Sequence, residues 1–196
     1  MADTAGTSAH PGAILGIARF FYDPRGSMRA LLNSRPREAR LLAYAVLAAL
    51  FLLTGRILRL MAEAGPETDM VARTMEQVVS LIFFLPLLYY GLAAAGTGIA
   101  RAFGGAGSWY EGRAAFFWAA LVSAPVILAA GLAAIAAGSV GTVPDILRQS
   151  GSIFFAWALA NCYAEAFGFS STLKVLAVIV LIALVPLGLA WAVATS

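Results

Sequence analysis

AAFFWAALVSAPVILAAGLAAIAAGSVGTVP, residues 114–144, runs for 31 positions without a charge. A helix that crosses a bilayer needs about 20 mostly apolar residues, so this stretch alone is long enough to span. Working outward, further uncharged runs occupy 41–55, 77–100, 149–164 and 175–196. Of these, 77–100 and 175–196 also reach spanning length. The reading that follows is an all-α, polytopic transmembrane bundle of five spans, at about 41–60, 78–100, 114–137, 152–167 and 175–193.

Composition agrees. The chain has 196 residues, 61% hydrophobic and 12% charged, where soluble domains carry about 25% charged residues. Five helices and short connections use up that length, leaving no room for a second globular domain. Residues 1–11 are small and polar and are expected to be a disordered tail. Residues 12–40 form an N-terminal cytoplasmic amphipathic segment, and 41–196 the membrane domain. No cleavable signal sequence is expected: the tail has no positive start, and Arg19 interrupts the apolar stretch behind it.

Within 12–40, Ile14, Leu15, Ile17, Ala18 and Phe21 recur at helical spacing. Asp23–Pro24 fits an N-cap followed by Pro at the first helical position. A second short helix follows, with Met28, Leu31 and Leu32 on one side and Arg25 and Arg29 on the other. Both helices are too short and too charged to span. They are expected to lie as a hairpin on anionic headgroups, which the Arg side chains would contact. The bland alternative packs them on the cytoplasmic ends of the spans. Arg19, Arg25, Arg29, Arg35, Arg37 and Arg40 are the candidate lipid or partner surface. The net charge of +3 comes from this cluster, and nucleic acid is not an expected partner.

The same six Arg set the orientation, because cytoplasmic flanks carry an excess of Lys and Arg. With the N-terminus inside, nine of the 13 Lys and Arg fall inside. The C-terminus then lies outside. Pro86, Pro125 and Pro186 sit within spans, where Pro kinks a helix yet is tolerated. Small residues four apart, at Gly91/Ala95, Ala94/Gly98 and Ala130/Ala134/Gly138, offer faces for close helix approach. Trp109, Tyr110 and Trp118 fit an aromatic belt at one membrane interface, and Trp191 fits one at the other.

Few residues suggest chemistry. Glu165 ends the fourth apolar run, one turn after Asn161, and an ionisable group there is a functional candidate by default. The bland expectation is an interfacial ion pair, with Arg40, Arg101, Arg113 and Lys174 on the same side. The Gly104–Ser108 stretch lacks the Lys-Ser/Thr ending of a phosphate loop and is expected to be a tight turn. Residues 138–151, around Pro144, Asp145 and Arg148, are expected to be a loop. His10 and Cys162 are single and far apart, too few for zinc or a nucleophile–base pair. Cys162 reads as a small hydrophobe. No cofactor, metal or enzymatic activity is expected.

Residues 102–126, AFGGAGSWYEGRAAFFWAALVSAPV, resemble the turn and third span of bacterial Yip-domain proteins, whose eukaryotic relatives interact with Rab GTPases. Residues 161–180, NCYAEAFGFSSTLKVLAVIV, resemble the turn before the last span, through Glu165, Gly168, Phe169 and Ser170. Residues 20–32, FFYDPRGSMRALL, resemble the cytoplasmic lead-in. Ala166 stands where a His is frequent in bacterial members. The resemblance covers roughly 12–193 and implies a five-span bundle with a cytoplasmic N-terminus. It implies a role in organising membrane or binding a partner, without carrying over a Rab function. The alternatives are an accessory subunit of a larger membrane complex, a homo-oligomer, and a small transporter or channel using Glu165 and Asn161. A lipid-acting enzyme is a more distant fourth.

Overall fold

A computed structural model of the chain describes residues 13–65, 69–138 and 140–194. The tail at 1–11, with His10, lies outside them, as do the side chains of Pro86, Pro186 and Trp191. Among the described residues the chain is all helical, with seven helices. They are α1 (Ala13–Phe20), α2 (Pro24–Ser34), α3 (Glu38–Glu63), α4 (Met70–Ala102), α5 (Trp109–Ala136), α6 (Thr142–Ala166) and α7 (Thr172–Ala194).

The N-terminal hairpin forms as its sequence dictates. The Asp23 carboxylate accepts from the Gly26 backbone N–H at 2.8 Å, with Pro24 beginning α2. That bond, with Arg19 nearby, holds the Asp23 carboxyl below its usual range. The Ser27 hydroxyl donates to the Gly16 carbonyl at 2.9 Å and ties α2 back to α1. The hairpin lies against the bundle rather than flat beside it. Phe20 and Met28 are fully buried, and Phe20 meets Trp157 of α6 edge-on at 5.8 Å.

The hub is α5, which packs on α2, α3, α4 and α6. Its sequence is apolar all round, as expected of a helix surrounded by others. From Ala114 to Ala124 every residue is buried, but between Pro125 and Ala136 only Ala134 is. The molecule is therefore closed at the end carrying the N-terminal hairpin and open at the far end. Trp118, expected at a membrane interface, is 2% exposed. It packs on Tyr44 with rings 5.5 Å apart, and a Cβ at Gly16 would come within 2.9 Å of it.

The two small-residue faces expected on α4, Gly91/Ala95 and Ala94/Gly98, are not used inside the molecule, where all four residues are exposed, whereas Ala134 of the third face is buried. A Cβ at Gly91 or Gly98 would meet nothing within 4 Å. The close approaches are instead at Gly96, against the Tyr163 hydroxyl, and at Gly112, against the Thr97 hydroxyl. The expected loop at 138–151 is corrected as well, because α6 begins at Thr142. Pro144 lies in its first turn, where the missing N–H has no helical partner to lose. Asp145 and Arg148 pair along the same face. Similarly, α4 starts at Met70 behind an Asp69 cap, eight residues before the expected span.

By length and composition, α3 and α5 are long and apolar enough to cross a membrane. The described apolar part of α7, Thr172–Leu184, is shorter. Among the described residues, then, two of the five expected spans meet this test. The early starts of α4 and α6 add charged or polar first turns to runs that read as apolar.

Candidate functional site

The α6 helix ends in a Schellman motif. The Phe169 N–H reaches the Ala164 carbonyl at 2.8 Å and the Gly168 N–H the Glu165 carbonyl at 3.4 Å. Gly168 supplies the positive φ of 74° that this turn requires. Its geometry fixes Glu165, whose side chain is only 11% exposed, at the helix end where backbone carbonyls gather.

Two guanidinium groups from α2 close on this site. Arg25 Nε donates to one Glu165 oxygen at 3.0 Å, and Arg29 Nε to the other at 2.6 Å. Arg25 also donates to the Phe169 carbonyl at 2.8 Å and, more loosely, to that of Ala164 at 3.5 Å. A cation at a helix C-terminus is favoured by the macrodipole, so Arg25 satisfies a carboxylate and a helix end together. The Glu165 hydrogen bond and charge raise the Arg29 pKa above its usual value. Chemically this is a clamp: both Glu165 oxygens are occupied, and 140 residues of chain are closed between Arg25 and Glu165.

The expectation for Glu165 as an ion-paired group is met, but by different partners. Arg113 pairs with Glu38, and Arg101 lies over the Trp109 ring at 5.7 Å. Arg25 and Arg29, expected to face lipid, are turned to Glu165 instead. Arg19 pairs with Asp23 at 3.4 Å. Arg35 sits in a left-handed turn that ends α2 (φ 39°), and Arg37 precedes α3 as its cap residue without a side-chain cap bond. Arg40 is exposed on the first turn of α3. Asn161 does not join Glu165: its amide donates to the Trp157 carbonyl at 2.9 Å, and its oxygen faces the Thr172 hydroxyl at 3.5 Å.

A second feature, the pairing of the expected 104–108 turn with the turn after α6, went unread in the sequence. The α4–α5 connection ends its helix as α6 does, with Gly105 N–H to the Ala100 carbonyl and Gly104 N–H to the Arg101 carbonyl. The two turns are bonded to each other, Ala106 N–H to the Phe167 carbonyl at 3.1 Å. A Cβ at Gly105 or Gly107 would fall within 2.9 Å of the Phe167 ring. The available signal was the repeated Ala-Phe-Gly at 102–104 and 166–168. Behind this junction, the Ser108 hydroxyl and Glu111 carboxylate form a capping box that starts α5, and the Tyr110 hydroxyl donates to the Pro36 carbonyl at 2.7 Å.

Among the described residues, no group of three or more His, Cys, Asp or Glu is placed to hold a metal. Comparison with protein families, curated proteins and solved structures finds no match to this chain.

Proposed function

We propose that the chain is a five-span, non-enzymatic membrane protein of the Yip-domain type that organises membrane or holds a partner through its N-terminal hairpin. The charge bias supports a cytoplasmic N-terminus in a bacterial inner membrane. The exposed apolar side chains of α3, among them Leu42, Val46 and Leu50, support a lipid-facing surface.

The observation that carries the reading is the clamp of Arg25 and Arg29 on Glu165. It holds the hairpin with Ile14 84% and Tyr22 89% exposed. An outward apolar rim with Arg19 beside it suits the boundary between headgroups and acyl chains. Arg35, Arg37 and Arg40 remain available to anionic lipid. Because Arg25 and Arg29 hold Glu165, the contact is assigned to the rim rather than to them.

The test is co-purification of the full-length chain in mild detergent, wild type against Ile14→Asp/Tyr22→Asp, with mass spectrometry of bound proteins and lipids. Loss of a stoichiometric partner or of anionic lipid from the double variant is the expected result. Unchanged recovery of both would exclude the rim as the contact face. The accessory-subunit reading is favoured by the open far end, where Met61, Met75 and Ile146 are all exposed. A partner that cross-links there, and not at the rim, would select it. A transporter reading requires flux in proteoliposomes that disappears in Glu165→Gln.

A further inference from the structure

An apolar cleft of about 470 Å³ lies between α4 and α7. It exists because α7 packs on α6 while α4 packs on α3 and α5. Its walls are Leu92, Ala95 and Ile99 from α4, Val178 and Ile182 from α7, and Tyr163 behind. At the hairpin end it becomes polar, with Ser170, Ser171 and Lys174 on its lip. We infer that this cleft takes one acyl chain of an anionic glycerophospholipid, whose phosphate is held at Lys174. The inference rests on the membrane reading above.

Three observations converge. The volume falls within the roughly 300–1,000 Å³ of small-molecule sites, and the lining is apolar with a few polar groups at one end, as such sites require. The length fits one leaflet. From Lys174 to Ile182 the cleft follows eight residues of α7, about 12 Å at 1.5 Å per residue, against about 15 Å for half of a 30 Å hydrocarbon core. The charge is complementary. Among the described residues, Lys174 is the only Asp, Glu, Lys, Arg or His lining the cleft, and its ammonium has no ion-pair partner there. It lies in the first turn of α7, where the Ser171 hydroxyl accepts from the Lys174 N–H at 3.4 Å. The positive end of the helix dipole thus adds to the ammonium on the same lip. A zwitterionic headgroup would bring its own cation to this lip, which disfavours it relative to an anionic one.

The test uses the full-length chain, delipidated in mild detergent and titrated with dioleoyl phosphatidylglycerol or dioleoyl phosphatidylcholine, with adducts counted by native mass spectrometry. A saturable one-to-one phosphatidylglycerol adduct is expected, at least tenfold tighter than phosphatidylcholine. Lys174→Glu, an exposed change, should abolish that preference. Ala95→Trp should fill the cleft and remove both adducts. Equal binding of the two lipids, or a preference unchanged by Lys174→Glu, overturns the site. If Ala95→Trp lowers the melting temperature, Val178→Phe serves as the filling variant. Chain that remains soluble without detergent would instead overturn the membrane reading, and separation of membrane from aqueous fractions distinguishes the two failures.

Discussion

The two ends of α5 behave as if they belonged to different proteins. Around Phe117, which is fully buried, Tyr89, Tyr90 and Phe116 crowd in with ring centroids between 5.1 and 6.5 Å away. Four turns further on, Leu132 is 44% exposed. Both positions are hydrophobic, and hydropathy cannot separate them. The difference lies in what arrives from elsewhere. The N-terminal hairpin, the start of α3 and the end of α6 converge on the first half of α5, while among the described residues no comparable cap reaches the second half. A helix that is apolar all round satisfies two solvents: protein at one end and, on the membrane reading, lipid at the other.

Truncation gives the largest break of this comparison. Phe117→Ala should cost about 3–5 kcal/mol, as for other buried Phe, and Leu132→Ala about 0.5 kcal/mol or less, as at a surface position. Thermal unfolding in detergent measures both, and equal costs would erase the asymmetry. Gly112→Val should cost about 3 kcal/mol through overpacking, because a Cβ there meets the Thr97 hydroxyl at 1.8 Å. Gly91→Val, at a position with open space around it, should not lower the melting temperature by more than the surface change above.

Next in size is the clamp. Glu165→Gln should cost about 2 kcal/mol, the scale of a charge-assisted hydrogen bond, and should expose the hairpin to limited proteolysis while leaving α7 as resistant as before. Combining it with Arg25→Gln should cost less than the sum of the single changes, because the two groups share one interaction. Ser108→Ala should cost about 1 kcal/mol through loss of the cap. The smallest effect is acid fraying of the hairpin. The Asp23 carboxyl is lowered on folding, so its contribution is complete above the unfolded carboxylate pKa and is lost as pH falls through the lower folded value. Hydrogen exchange of α2 should accelerate over that acid range in the native chain, and the acceleration should shrink in Asp23→Asn.

What the sequence made legible was local. The Asp23–Pro24 cap, the tight turn at 104–108 and the helical content depend on neighbours a few residues apart. The position of Glu165 at a helix end was legible for the same reason. Its partners were not, because they lie 140 residues away on another helix, and one chain carries no record of which arginine crosses that distance. The early start of α6 was missed because Pro144 and Asp145 read as a break, although both suit a first turn. The burial of Trp118 was missed because an aromatic near a run's start looks alike whether it meets headgroups or Tyr44.

The bond from the Ala106 N–H to the Phe167 carbonyl has a mechanical consequence. It joins the bases of two helical hairpins, α4–α5 and α6–α7, so their helices share a fulcrum at that end. The α7 rod, 23 residues or about 34 Å at 1.5 Å per residue, magnifies any small rotation about that fulcrum. The width between α4 and α7 is therefore pinned where that bond joins their hairpins, and the leverage of a sideways force on either rod grows with its distance from there.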